Sequence, residues 1–550
     1  MSTRLFSRWL SLRMSFLVAI GIMLGLTGGP VSAADRPDPI ATAAEVDKLL
    51  TTELGKSEVP LASSDIYLRR VTLDIAGRPP SIGEITAFSF DPSDAKRSAV
   101  VDRLLSTDDY ATNWARYYRD VILYRRTEDR AVIVSQELEK YLAGKLSSGA
   151  SWGEIATEII TAEGEYEDNG ATSLIIAQQG RPEETVSEIS RIFLGIQIQC
   201  AQCHDHPTDR WKREQFHELA AFFPRVASRI IIQPDRRSIA VTVSDSPFGR
   251  NFSMNNVRFR GSPEHFMPDL KDPSSQGTKM QPVFFVTGQK LPLGAKDADR
   301  RGELSKWITA KDNPYFSQAL VNRLWSELVG EGFYEPVDDI GPDRTATAPQ
   351  TLEYLATKFA EADYDHRWLL KTIIATEAYQ RESRSRREPD EVPMQANVSQ
   401  RLRSDQLFSS LLVALDLSEP ETPAGAPGGP YANFRSPRNL FASAFGYDPS
   451  NLRDEVQTSI PQALVMMNSP IFSRAISARS RTSGLGKLLV EISDDREAVM
   501  ELYLRVLARQ PSLSEQETAL NYIRSTTSRG EAFEDLLWTL LNSTEFLHRR

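Results

Sequence analysis

Val186 to His204 reads VSEISRIFLGIQIQCAQCH. The apolar positions Val186, Ile189, Phe193, Ile196 and Cys200 recur at steps of three and four, which places them on one helical face. The same period returns further along the chain. Asn313-Pro314 offers a cap and a first-turn proline ahead of Phe316, Leu320, Leu324 and Leu328, and Gly330 and Gly332 end the run. Ser514 with Glu517 matches a capping box before Leu520 and Ile523, and a last helix is expected through Phe533, Leu536, Leu537, Leu540 and Leu541. The expected fold class is mainly α, two helical domains with a small β insertion between them.

The insertion is read from Ile230–Ile232, Ile239–Val243, Val257–Arg260 and Val283–Val286, short β-favouring runs separated by proline, glycine and asparagine. They predict a small sheet. The resulting layout is a signal peptide over 1–33, a helical domain carrying the cysteines over 40–227, a β-rich segment over 228–299 and a helical block over 300–550. Prolines and glycines between Glu419 and Pro430 predict a surface loop.

The chain has two cysteines in 550 residues, and both lie in Cys200-Ala201-Gln202-Cys203-His204. This C-x-x-C-H spacing is the c-type haem attachment pattern, in which two thiols bond the porphyrin and the imidazole ligates iron. If the helix carrying Ile196 continues one more turn, Cys200, Cys203 and His204 stand at i, i+3 and i+4 on one face. Pro207 disfavours a helical His206, so His204 is the proximal-ligand candidate and His206 is not. Thr208 or Asp209 is placed to cap a following helix with Trp211, Phe216, Leu219 and Phe223 as its apolar stripe.

For the sixth iron position, Met254, Met267, Met280, His217 and His265 are candidates, and no spacing selects among them. Three other readings of the cysteines stand beside haem. One is a zinc site with His206 or His217, although a closed site wants four ligands and no second cysteine pair exists. A redox-active disulfide needs a βαβ setting, whereas these flanks read as helix. The third is a static Cys200–Cys203 disulfide clipping a helix end, which an oxidising compartment permits.

The compartment follows from the N-terminus. Arg4, Arg8 and Arg13 precede an apolar run from Phe16 to Leu26 and the small residues Val31-Ser32-Ala33, which together read as a secretory signal peptide cleaved after Ala33. At about 11 residues the run is too short to span a bilayer, so the mature chain is expected to be exported to a periplasm or cell envelope without a transmembrane helix. The whole chain has net charge −10. Loss of three arginines with the leader makes this about −13, which argues against nucleic acid as a partner.

Other constellations are better explained by structure. Gly149-Ala150-Ser151-Trp152-Gly153 matches the G-x-S-x-G elbow, but a helix rather than a strand precedes it, and Ser151 with Glu154 reads as a capping box. Asp338, Asp339 and Asp343 do not fit an EF-hand spacing and are read as a solvated turn. Arg381, Arg384, Arg386 and Arg387 are read as a solvated helix end. Neither a P-loop nor a G-x-G-x-x-G motif is present.

The string FLGIQIQCAQCHDHPTDRWKREQFHELAAFF, Phe193 to Phe223, resembles a planctomycete cytochrome-type (PSCyt-like) domain of unknown function. The later half resembles its usual companion (PSD-like) domain, also of unknown function. The strings that carry this second resemblance are DNPYFSQALVNRLW at Asp312–Trp325, EPVDDIGP at Glu335–Pro342, IPQALVMMNSP at Ile460–Pro470, ELYLRVLARQP at Glu501–Pro511 and DLLWTLLNSTEFLHR at Asp535–Arg549. Thr208 stands where the resemblance leads us to expect phenylalanine. The resemblance implies an exported, largely helical two-domain protein with Cys200, Cys203 and His204 as its site.

The reading is therefore an exported mono-haem c-type cytochrome-like protein with covalent haem c and an unidentified redox partner. The alternative from another class is a non-redox cell-envelope interaction protein with the cysteines as a disulfide or metal clip. An exported enzyme of polysaccharide breakdown is a third reading, for which no acid and base pair is apparent.

Overall fold

Helices form wherever the apolar period and a cap coincide. In the computed structural model, Asn313 accepts the Tyr315 N–H at 3.2 Å, Pro314 opens a helix over Pro314–Val329, and Gly330 closes it in the left-handed region at φ 100°. Phe316, Leu320, Leu324 and Leu328 are all buried. Ser151 and Glu154 form the expected reciprocal box, at 3.1 and 2.7 Å, which accounts for the serine of the G-x-S-x-G string. The structure describes residues 36–125, 129–232, 237–245, 263–386, 392–420, 436–453 and 459–550. Across these it is predominantly helical with small scattered sheets. No helix among the described residues is long and apolar enough to cross a membrane.

The capping box near the C-terminus sits two residues earlier than expected. Ser512 and Glu515 open the helix Leu513–Ser525, with Ser512 N–H on Glu515 at 2.7 Å. Both positions satisfy the S-x-x-E pattern. The earlier one wins because Arg509 also binds the Glu515 carboxylate, at 2.9 and 2.8 Å.

The β segment forms separate pairs rather than one sheet. Val226–Ile232 and Arg237–Val243 make an antiparallel hairpin, with Gly164–Glu165 on its other edge. His265–Met267 pairs with Thr278–Met280, and Val283–Phe284 with Gln289–Lys290. Pro268, Pro273 and Pro282 interrupt the ladders, which holds the later strands to two or three residues. Val257–Arg260 lies outside the described residues, as does most of the loop expected between Glu419 and Pro430.

Two apolar cores organise Pro37–Arg550. The first gathers residues from Val46 to Met394, with Ala508, and so draws on helices from both sides of the β segment. The second gathers Leu402 to Phe546 and takes in Leu73 from the N-terminal side. Buried ion pairs stitch them together: Arg549 lies 2.6 and 2.8 Å from the Asp74 carboxylate, whose Oδ2 also accepts the Tyr379 hydroxyl at 2.6 Å.

Candidate functional site

The helix leading to the cysteines stops before it reaches them. Pro182–Ile189 is α-helical, Ser190–Leu194 widens into a π turn, and Gly195 ends it in the left-handed region at φ 68°. A Cβ on Gly195 would lie 2.7 Å from Ile340 Cδ1, and Ile340 N–H donates to the Gly195 carbonyl at 2.8 Å. The chain then turns through a 3₁₀ segment, Ile198–Gln202. The expected continuous α register over Cys200, Cys203 and His204 is thus replaced. The glycine and the docked isoleucine end the helix where periodicity alone would extend it.

Cys200 lies within this segment and Cys203 directly follows it. Residues three apart eclipse on a 3₁₀ turn. Ile198 and Ala201 point into the core, while Cys200, Cys203 and His204 are exposed and both thiols are free. His204 Nδ1 lies 2.7 Å from the Asp205 carbonyl, an acceptor only, so Nδ1 carries the proton and Nε2 keeps a lone pair. His206 is occupied within the loop: its N–H donates to Trp211 O at 2.8 Å and its Nδ1 faces the Thr208 N–H at 3.4 Å.

Asp205 holds the next helix. Neither Thr208 nor Asp209 caps it; the helix runs over Arg213–Ala220, and Asp205 accepts the Arg213 N–H at 3.2 Å and the Lys212 ammonium at 2.8 Å. The loop closes back on itself, so a residue eight positions earlier does the capping. The Lys212 hydrogen bond, followed by that of Arg213 N–H, holds the Asp205 carboxyl below its ordinary range. Trp211, Phe216, Leu219 and Phe223 form the predicted buried stripe.

Behind the turn lies a stack that periodicity does not foreshadow. His217 and His265 are buried, their rings 5.2 Å apart, with His217 Nδ1 2.9 Å from His265 Nε2. His217 Nε2 faces the Gln202 carbonyl at 3.1 Å. A carbonyl only accepts, so the His217 proton is on Nε2, its Nδ1 accepts from His265 Nε2–H, and the remaining lone pair is His265 Nδ1, 3.8 Å from Glu183 Oε1. Burial pushes both imidazoles down to about 4, and at His217 the neighbouring His265 adds to it. Both are neutral at pH 7. Met280 is buried and pairs in register with His265, and Met267 is half-buried on the same hairpin. The described sixth-ligand candidates therefore cluster on two elements, the hairpin and the Arg213–Ala220 helix. Met254 lies outside the described residues.

The far wall of the site comes from EPVDDIGP and the Asp343-Arg344 that follow it. Arg210 reaches Asp343 at 2.5 Å, Arg344 donates to Thr208 Oγ1 at 2.9 Å, and Gln197 donates to Asp338 at 2.6 Å. A Cβ on Gly341 would stand 1.8 Å from Asp209 Oδ2, so a side chain here would push the Asp209 carboxylate aside. Of the three acids read as a solvated turn, Asp343 is exposed and Asp339 half-buried, but Asp338 is not solvated. Asp338 is fully buried, accepts Ser450 Oγ at 2.7 Å, and lies 3.4 Å from Arg125 and from Arg191 and 3.8 Å from Arg323. Burial opposes its charge, but these guanidiniums outweigh it and hold the carboxyl below its ordinary value.

Both thiols are exposed and free, and His204 Nε2 makes no hydrogen bond among the described residues while Nδ1–H is fixed by the Asp205 carbonyl, donors of the kind a covalent haem takes. A zinc set is not assembled: among the described residues no group of three or more His, Cys, Asp and Glu side chains could hold a metal ion. Two family models match the chain in succession. Residues 45–228 match PSCyt2, a protein of unknown function (DUF1549), and residues 300–444 match PSD1, a protein of unknown function (DUF1553). Neither a curated protein nor a solved structure matches.

Proposed function

Taking as premise that the chain carries a PSCyt2 domain followed by a PSD1 domain, we propose that it is an exported mono-haem c-type cytochrome-like redox protein. The observation that carries this reading is the exposed pair Cys200 and Cys203 beside a His204 whose Nε2 lone pair is left open by the Nδ1–H bond to Asp205. Cys200 and Cys203 would hold the group, each S–H adding across a vinyl C=C so that sulfur bonds one carbon, the proton goes to the other, and nothing leaves. His204 Nε2 would ligate the iron. Haem supplies one-electron exchange between ferrous and ferric states.

The rest of the chain keeps these donors in place. Asp205 pins the loop to Lys212 and Arg213, and His217 fixes the Gln202 carbonyl between the two cysteines. From the other side Arg210 and Arg344 tie the loop to the 338–344 segment.

Co-expression with a cytochrome c maturation system tests the reading. A Soret band, a pyridine haemochrome and a mass gain of one whole haem are expected, all lost in Cys200→Ala/Cys203→Ala. Absence of covalent haem, or haem that survives the double substitution, overturns it. The exposed thiols three residues apart also support a second reading, a non-redox envelope protein with a Cys200–Cys203 disulfide, which mass spectrometry would report as the loss of two hydrogens.

A further inference from the structure

Tyr110, Trp114, Tyr117 and Tyr118 recur at steps of three and four and so share one face of the helix Asp108–Leu123, which buries all four. His366, the first residue of the helix His366–Ala375, is set into that face. Its Nδ1 lies 2.9 Å from the Tyr110 hydroxyl and its Nε2 2.8 Å from that of Tyr118. Trp152 packs 4.6 Å from the Tyr118 ring, and Phe193, in the π turn ahead of the cysteines, lies 5.7 Å from Trp152.

A neutral imidazole has one N–H and one lone pair, so His366 donates to one hydroxyl and accepts from the other. Burial, with Arg367 beside it, pushes this imidazole down to about 3, so it holds the neutral form at pH 7. The surroundings then rank the four rings of the Asp108–Leu123 helix as electron donors. A cation over a ring is held by the ring's electrons and opposes the removal of one. Arg367 stands 5.0 Å from the Tyr110 ring centre and Arg403 5.2 Å from that of Tyr117. The Tyr117 hydroxyl faces the Arg323 guanidinium, which has no lone pair to take a proton. The buried Trp114 Nε1–H has no partner among the described residues. Tyr118 is the ring of the four that combines a neutral base at its hydroxyl with no described cation over its face.

We propose that Tyr118 is a redox-active tyrosine, which gives up one electron while its phenolic proton passes to His366 Nε2. With the ring proton of His366 on Nδ1 and donated to Tyr110, Nε2 accepts from Tyr118. The electron goes to a high-potential outer-sphere oxidant, a metal complex that is reduced by one electron. The phenolic O–H bond breaks, an N–H bond forms, and the products are a neutral phenoxyl radical and an imidazolium. Both imidazolium N–H groups then have an acceptor already in place, the Tyr118 and Tyr110 oxygens, so no group has to move. Loss of the electron makes the phenol a far stronger acid than imidazolium, so the proton transfer runs downhill although burial disfavours the cation. The step does not rest on haem.

Oxidation of the haem-free full chain, its two thiols alkylated, by photogenerated tris(bipyridine)ruthenium(III), followed by freezing and electron paramagnetic resonance, tests the proposal. A tyrosyl radical is expected, with a spectrum narrowed by ring-deuterated tyrosine. It should carry a weak nitrogen coupling that changes when the histidine nitrogens are isotopically labelled, and an exchangeable-proton coupling that disappears in D2O. Tyr118→Phe should abolish the histidine-coupled signal, and Tyr110→Phe should keep it. If Tyr118→Phe does not fold, the histidine coupling in the unsubstituted chain decides. A histidine-coupled radical that survives Tyr118→Phe, a tyrosyl signal without histidine coupling, or no tyrosyl radical in the folded chain overturns the proposal.

Discussion

At the scale of single residues, the site depends on side chains that sequence patterns assign to other roles. Gly341 looks like a turn residue in EPVDDIGP, yet its missing Cβ is where Asp209 Oδ2 fits. Gly341→Ala should destabilise the protein by no more than about 1 kcal/mol, the low end of overpacking, because the Asp209 carboxylate can turn aside, read as a slightly lower Tm. Asp209→Ala in the same chain should recover most of that loss; a pair that behaves additively would show that the two do not meet. The arginines after Gln380 were expected to be solvated. Arg384 is instead buried against Glu331, and Arg386 reaches Glu335 and the Gly330 carbonyl, while Arg387 lies outside the described residues. Charge alternation along the sequence could not reveal this, because the partners lie some fifty residues away.

At the scale of elements, the Arg213–Ala220 helix and the His265–Met267 strand meet through two neutral imidazoles. Both rings titrate at about 4, against 6.5 for the free side chain. Between those values the unfolded chain binds protons that the folded chain does not, so stability rises with pH across the window and is lost as pH falls from about 6.5 toward 4. His366, wedged between the Tyr110 and Tyr118 hydroxyls at 2.9 and 2.8 Å, is pushed down to about 3 by burial and adds to the same trend. Thermal denaturation from pH 7 to 4.5 should show a falling Tm. His217→Leu/His265→Leu should flatten that slope without abolishing it, since His366 remains. An unchanged slope would mean that the pair is not held neutral. The boundary at Gly195 belongs to this scale as well: the helical period through Cys200 is real in the sequence, and a left-handed glycine under Ile340 cuts it short.

At the scale of the whole molecule, two apolar cores exchange Leu73 and Ala508 and are also joined by polar stitches. Leu73 belongs to the second core, and nearby Asp74 takes Arg549 from the far end of the chain. Arg549→Ala removes the ion-pair partner of the buried Asp74 carboxylate, which keeps the Tyr379 hydroxyl and the field of the buried Arg70, and should cost about 3 kcal/mol. Replacing both members, as Arg549→Met/Asp74→Leu, should cost less than the single substitution, since the Asp74 carboxylate is removed together with its ion-pair partner. Urea denaturation of the two variants checks the order. The converse order would make the pair a surface-like contact of little worth.

Sequence alone determined the predominance of helix, the Asn313-Pro314 start and Gly330 stop, the Ser151 cap and the location of the CxxCH triad, because these follow from interactions within a few residues. Tertiary structure decided the rest: the 3₁₀ geometry at the cysteines, the His217–His265 stack, the burial of Asp338 among three arginines and the setting of His366 between Tyr110 and Tyr118. Each of these brings together groups that are distant in the chain. A periodicity reports which face of an element is apolar, but which polar group will meet it there depends on how the elements pack.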